Sequence, residues 1–407
     1  MNSSLKLKSI VCLLSIALLM HCRKDELDVI KTYSSIQNPI YGLVYFTLPG
    51  IIVTNSGGSS SGSTSSLPRG FKSSGSSLFA VGSSPSLYES TDGTSFTKKT
   101  FTLPNCTATA GSSSGSYTDC HVVSVAKFGS TIYAIGLKQS GERGSNGSQT
   151  TVTDHKFYFA SGVTVNDLNF TEITDSTLTS TYYLSNSVLP SAASSNGFVF
   201  GFGVTSTSHK YCGTTNGSTW VCQNGVASSS STAGAVELLN GTLAADIYYR
   251  WNGSGFTIAV TSNQGTKGSM IYASSRTIYT SGTSIRYTAT DPSLFSGTSI
   301  AGETTATQTG GLTSGSYLWL GDFSGTLKVV GSSFSNNVTT LTAHTSSDNG
   351  SNWSNTATIT IPGGLSPSNN IGSINNTVFV YAQSNSGTFT QKYFKSTDFT
   401  NWTEVTP

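Results

Sequence analysis

Ser346-Ser347-Asp348-Asn349-Gly350-Ser351-Asn352-Trp353 reads as the corner of a β-hairpin. A carboxylate in this setting accepts bonds from backbone N–H groups two or more residues on, as in an Asx-turn. Gly350 supplies a positive φ without a Cβ penalty. Trp353 then plants a large ring in a core. Imperfect copies recur, each with Asp or Asn four residues before an aromatic. They are Asp92 to Phe96, Asn166 to Phe170, Asn216 to Trp220, Asn252 to Phe256, Asp291 to Phe295 and Asp398 to Trp402. Asp348 to Trp353 has one extra residue. The seven are separated by 74, 50, 36, 39, 57 and 50 residues.

A strand precedes most copies, often carrying Tyr. Examples are Leu87-Tyr88-Glu89, Phe157-Tyr158-Phe159, Lys210-Tyr211-Cys212, Ile247-Tyr248-Tyr249, Ile285-Arg286-Tyr287 and Lys392-Tyr393-Phe394. An apolar strand sits upstream of each copy: Leu78 to Val81, Ile132 to Ile135, Phe198 to Phe202, Leu243 to Ala245, Ile278 to Thr280, Leu327 to Val330 and Val378 to Tyr381. A fainter strand lies before several of those, as at Val122 to Ala126, Ala235 to Leu238 and Tyr317 to Leu320. Units of about 40 to 50 residues with four strands each point to an all-β fold, the β-propeller. A lone four-stranded sheet has two faces to bury, and packing sheets radially around an axis buries both. The count predicts seven four-stranded blades, with six or eight as alternatives; the fourth blade is short and the weakest of the set. A parallel β-helix is the rival, but its rungs are shorter and more even.

The corner resembles the Asp-box, or BNR, repeat of sialidase-like propellers: Ser, any residue, Asp, any residue, Gly, any residue, Thr, Trp. Ser346 to Trp353 fits except that Asn352 stands for Thr. Ser90 to Phe96 and Ser396 to Trp402 are one residue shorter, and Thr214 to Trp220 has Asn216 for Asp. The resemblance implies that the turn joins the third and fourth strands, away from the central pocket. It is scaffold, not active site.

Charged residues are only 10% of 407, against about 25% in a typical globular protein. Ser, Thr, Gly and Asn fill the gap, which suits strands and tight turns. Formal net charge is +2, and losing Lys6 and Lys8 with residues 1–21 leaves 19 basic against 19 acidic groups. No dense basic run survives, which argues against nucleic acid as a partner. Ile10 to Met20 is an apolar stretch too short to span a membrane, which takes about 20 residues. Cys22 follows directly after Leu18-Leu19-Met20-His21. The layout resembles a bacterial lipoprotein signal, most like the relaxed spirochaete form, because His21 stands where a small residue is usual. An ordinary cleaved secretory signal with Cys22 incidental is the alternative. The resemblance implies a signal at 1–21 and acyl chains on Cys22. It also implies an anchor in the outer membrane of the cell envelope, with possible surface exposure. Residues 22–67 read as a tether and a Ser/Gly-rich linker, within which Ile40 to Val53 is an apolar hairpin or a strand lent to the main domain. The propeller is expected over 68–407.

Cys106, Cys120, Cys212 and Cys222 invite two disulfides in an exported protein. Three connectivities are open, and sequential pairing suits the positions, since Cys212 and Cys222 flank one corner. Metal is the weaker reading, with no Cys-x-x-Cys and no clustered His. A sialidase site would need three arginines for a carboxylate, a Tyr-Glu pair and an Asp acid. After the linker the chain has Arg69, Arg143, Arg250, Arg276 and Arg286, none in the Phe/Tyr-Arg-Ile-Pro setting of that family's first arginine. Arg69 is the nearest candidate, and Arg250 and Arg286 fall on third strands. Asp154-His155 are adjacent residues that point to opposite faces if on a strand, and a solvated loop is the plainer reading. Glu237 falls on an innermost strand, where it could face the channel, although a satisfied polar residue is the commoner explanation. His121, His209 and His344 are dispersed. No phosphate loop, nucleophile elbow or cofactor motif is readable. The sequence therefore predicts a monomeric, lipid-anchored, non-catalytic binding or adhesion module without catalytic residues, metal or cofactor. Its partner would be a host or envelope protein or a glycan; a glycan-active hydrolase of sialidase-like shape is the alternative.

Overall fold

The protein, seen in a computed structural model, is a seven-bladed β-propeller. The structure describes 52–54 and 68–407 except 83, 110–114, 144–148, 179–187, 206–207, 226–232, 261–267, 296–298, 324, 336–337, 362–364, 368–370, 385–390 and 406–407. The expected signal, Cys22 and most of the tether therefore lie outside the described residues.

Each blade is a meander whose strands run outward from the axis in chain order. Blade 1 runs Pro68–Ser74, Ser77–Gly82, Ser86–Ser90 and Ser95–Thr100. Blade 2 runs Gly115–Phe128, Thr131–Arg143, Gln149–Gly162 and Thr171–Glu172. Blade 3 runs Ser191–Ser194, Gly197–Thr205, Ser208–Thr214 and Val221–Asn224. Blade 4, the shortest, runs Val236–Leu239, Thr242–Ala245, Tyr249–Trp251 and Phe256–Ile258. Blade 5 runs Met270–Ala273, Arg276–Ser281, Ser284–Thr288 and Thr304–Thr305. Blade 6 runs Ser316–Phe323, Thr326–Ser335, Val338–Ser346 and Asn352–Ile361. In blade 7 the innermost strand comes in two pieces, Leu365–Pro367 and Gly372–Ile374, both on Thr377–Ser384; Gln391–Ser396 and Thr403–Val405 follow. The apolar runs read from the sequence are the second strands of all seven blades.

A meander of four strands puts every third-to-fourth turn on the face where the innermost strands end. We call that face the lower one. The carboxylates and rings of the corners sit there. Asp92 Oδ1 accepts from the N–H groups of Thr94 and Ser95 at 2.7 and 2.8 Å, and Gly93 N–H donates to Ser90 Oγ at 2.9 Å. Asp348 accepts from Asn352 N–H at 2.9 Å while Gly350 N–H donates to Ser346 Oγ at 3.0 Å. Asn216 accepts from Ser218 and Thr219, each at 2.9 Å, and Asp398 from Thr400 and Asn401 at 2.8 and 2.7 Å. In each Trp corner the indole N–H closes the turn on a carbonyl three residues back: Trp220 on Gly217, Trp353 on Gly350, Trp402 on Phe399. Gly350 has φ +82°, and a Cβ there would come 2.8 Å from Ile278 of blade 5, so both backbone and neighbour demand glycine.

The remaining corners differ from the sequence reading in detail. At blade 2 the accepting carboxylate is Asp167, not the Asn166 side chain. Asp167 takes Thr164 N–H at 2.8 Å and so completes a capping box with Thr164, the N-cap of the 3-10 turn Val165–Asp167. Asp291 caps a 3-10 turn, Pro292–Leu294, by accepting from Ser293 N–H at 2.8 Å. Asn252 accepts from Ser254 and Gly255, each at 2.9 Å, with no hydroxyl residue two positions before it.

The core lies between blades, because each sheet buries both faces. The rings wedge this space. Trp220 meets Phe159 of blade 2 edge-on at 5.6 Å, and Trp353 joins Ile278 and Ile285 of blade 5. The ring closes without strand exchange. Phe71 of blade 1 packs on Phe379 and Tyr393 of blade 7 at 5.4 and 6.0 Å, and Ser373 N–H donates to Ser73 Oγ. Two blades take an added outer strand, parallel and in the same relative register. Ile52–Thr54 lies on Ser95 to Thr97, and Thr307–Thr309 on Asn352 to Ser354. The middle residue is in backbone register with the corner aromatic in both. The cysteines pair sequentially, Cys106 with Cys120 and Cys212 with Cys222.

Candidate functional site

Propeller ligands are best held near the axis, so the innermost strands come first. Lys72 on blade 1 and Glu237 on blade 4 meet with Nζ 3.3 and 3.4 Å from the two carboxylate oxygens. Blades 1 and 4 are not neighbours in a ring of seven, so this pair spans the channel. Its side chains are 20% and 32% exposed, which leaves them in contact with water but paired. A second ion pair, Lys127 to Glu89 at 3.4 Å, is buttressed by Ser77 Oγ, 3.0 Å from Lys127 Nζ and 2.8 Å from Glu89 Oε1. Glu237 thus takes the channel position its strand predicts. Lys72, 165 residues away in the chain, carries no local signal for that partnership.

The upper face is uneven. The second and third strands of blade 2 are 13 and 14 residues long, those of blade 6 are 10 and 9, and those of blade 4 only 4 and 3. At about 3.3 Å per residue the blade 2 hairpin is roughly three times the height of blade 4. Ser74 holds the main chain of Lys127 at 2.7 and 3.0 Å, which levels the lower turns of blades 1 and 2. The extra length of blade 2 therefore rises above the upper face.

Polar groups gather on this raised wall. Asp119, Gln139 and His155 lie directly opposite one another on three adjacent strands, hence on one face. His121 lies two residues on from Asp119, with Nε2 4.0 Å from its carboxylate. Gln139 is buried, and neither its Nε2 nor His121 Nε2 has a hydrogen-bond partner among the described residues. Burial lowers the His155 pKa from its ordinary value. Asp154 points the other way, to Lys138 at 3.1 Å. The Asp154-His155 step thus sits on a strand, not in a loop, and its two side chains part as alternation requires.

A second group joins blades 4 and 5. Asp246 is fully buried in a left-handed conformation at φ +53°, and its Oδ1 accepts from Ile247 N–H at 2.7 Å. Arg250 donates to the carbonyls of Pro292, Asp246 and Tyr249 at 2.8, 3.1 and 2.8 Å and lies 4.8 Å over the Phe295 ring. Burial pushes its pKa down to about 10, so it stays charged at neutral pH. On blade 5 Arg286 pairs with Glu303. The Tyr279 hydroxyl is pushed well above its ordinary pKa, first by burial and then by the Glu303 charge.

Among the described residues the arginines do not converge. Arg250 and Arg286 stand on third strands as read, and Arg276 donates to Asn349 and Ser351 at the blade 6 corner on the lower face. Arg69 starts the innermost strand of blade 1 at the upper face, beside Tyr381 and Tyr393. The Arg143 side chain lies outside the described residues. His344, on the third strand of blade 6, bonds Gly310 O at 3.0 Å. Among the described residues no group of three or more His, Cys, Asp or Glu could hold a metal ion.

No family model matches this chain, and no curated protein matches it. Solved structures of similar shape include a GH43_1 enzyme from Xanthomonas citri complexed with xylose. It shares 10% identity over 70% of this chain and 89% of that one, with a TM-score of 0.36. The arabinanase Arb43A of Bacillus subtilis shares 9% over 80% and 91%, at 0.32. A computationally designed protein, Ika8, shares 9% over 73% and 98%, at 0.32. These likenesses concern the fold, and no residue role passes from them to this chain.

Proposed function

We propose that the chain is an exported, lipid-anchored binding module of the cell envelope. Its partner, a glycan or an envelope or host protein, sits on the upper face between the raised parts of blades 2 and 6. The observation that carries this reading is the Lys72–Glu237 pair. The centre of the channel, where a propeller enzyme has room for substrate, is taken by the chain's own charges at 3.3 Å. The unpartnered Nε2 atoms of Gln139 and His121 on the blade 2 wall support a polar ligand, since buried donors and acceptors seek partners. An anchor at Cys22 would fit the same role and is tested by labelling with radioactive fatty acid, lost in Cys22→Ala.

One grouping favours the hydrolase alternative. Tyr279, Glu303 and Arg286 lie together on blade 5, and a tyrosine beside a glutamate is the nucleophile pair of sialidase-like enzymes. Against it, Tyr279 is fully buried and a single arginine serves the group. The discriminating experiment incubates the full chain with chromogenic α-sialosides and pentosides. The binding reading expects no product above buffer. Turnover abolished by Tyr279→Phe or Glu303→Gln would replace it with the hydrolase.

A further inference from the structure

We propose that the outer edge of blade 6 is a self-association surface that takes the same strand of a second copy of this chain. The outer strand Asn352–Ile361 is ten residues long. Its lower end is covered, because Thr307–Thr309 pairs with Asn352 to Ser354. A bulge opposite Ala343 and His344 separates that covered end from the rest. Above it, Ala357-Thr358-Ile359-Thr360-Ile361 has no charge, no Pro and no Gly. Among the described residues no strand pairs with its outer side. Thr358 and Thr360 are exposed.

An open edge of this kind is a template for another strand, and proteins usually blunt it with charge, shortness or cover. The other six blades do so. The outer strand of blade 1 carries Lys98 and Lys99 besides its added strand. Those of blades 2 and 5 have two residues each, those of blades 3, 4 and 7 only four, three and three. Blade 6 alone among them is long, uncharged and half covered. The added strands on blades 1 and 6 show that outer edges of this propeller accept strands by main-chain pairing.

The occupant follows from the sequence of the edge. Paired antiparallel about a two-fold axis at Ile359, the strand is its own complement. Ile359 meets its copy, and Thr358 meets Thr360 of the second copy. Threonine faces threonine and apolar faces apolar, the favourable cross-strand pairs. The chain without residues 1–21 has 19 charges of each sign, so no net repulsion keeps copies apart. The contact is isologous and closes at two copies. It replaces the monomer expected from sequence with a dimer.

Sedimentation velocity of the full chain in detergent, over a concentration series, tests this. We expect a reversible shift toward twice the monomer mass. Thr358→Lys with Thr360→Lys sets like charges opposite each other and should weaken the dimer roughly tenfold or more. Thr358→Lys with Thr360→Glu restores opposite charges across the axis and should recover it. Both pairs of changes are on exposed side chains, and unchanged melting shows that the fold survives. A chain that stays monomeric at every concentration overturns the proposal. So does a dimer indifferent to both variants, or a monomer that captures a strand peptide of another protein.

Discussion

Phe399 holds a backbone position that glycine takes at the equivalent corners: φ is +63° there, against +74° at Gly93 and +76° at Gly217. The strain of a non-glycine residue in this region is about 1 kcal/mol, whereas burying a phenylalanine ring is worth about 3 to 5. The ring wins, being fully buried, stacked on Trp319 at 6.2 Å and under the Lys328 ammonium at 4.9 Å. Phe399→Gly is therefore expected to destabilise by about 2 to 4 kcal/mol in urea unfolding, although it relaxes the turn; a stabilised variant would refute this weighing. The corner carboxylates set an acid limit. Amide donors hold Asp92 and Asp398 well below the ordinary carboxylate range and Asp348 at about 2. The unfolded chain then binds more protons than the folded one, so stability rises with pH and falls as pH drops from about 4 toward 2. Asp348→Asn keeps an acceptor without titrating and should flatten that fall in an acid titration followed by near-ultraviolet circular dichroism. Residue-scale detail was legible where the chemistry is local. Ser90, Asp92 and Gly93 announce their turn, but at blade 2 Asn166 and Asp167 stand side by side, and nothing short of the backbone decides which accepts.

Second strands were the most legible elements, because they are buried on both faces and read as unbroken apolar runs. Third strands were legible through tyrosine, except at blade 6, where Val338–Ser346 carries none, and at blade 4, where Ile247 and Tyr248 lie before a strand that begins at Tyr249. Blade height was not legible: the upper part of blade 2 mixes Ser, Thr and Gly with charged and other polar residues, a composition that reads as loop. The added strand at Thr307–Thr309 is three residues and equally silent, while the last residues of the Ile40 to Val53 run do reach blade 1 as a lent strand. The disulfides act on elements already placed. Cys212 sits directly opposite Cys222 in the register of one hairpin, at a sequence separation of 10. A loop that short gives a bridge worth about 2 to 3 kcal/mol through the unfolded chain. Cys212→Ala with Cys222→Ala should lower the free energy of urea unfolding by that amount and leave the circular dichroism spectrum unchanged; a lost spectrum would mean that the hairpin depends on the bridge.

The ring explains why the weakly charged stretch 68–407 folds as one body: each sheet finds both of its covers in its neighbours, and the closing seam of blades 7 and 1 is made by the same packing as the rest. What the ring brings together is what sequence could not supply. Lys72 and Glu237 face each other only if blade 4 stands across an axis from blade 1, and the candidate site depends on that. Thermal unfolding of charge-reversal variants reads it directly. Lys72→Glu sets two carboxylates against each other across the channel and should lower the melting temperature. Adding Glu237→Lys should restore it, with a coupling of about 1 kcal/mol or more. Strictly additive losses in the double variant would place these side chains apart, and with them would go the barred channel and the binding face built above it.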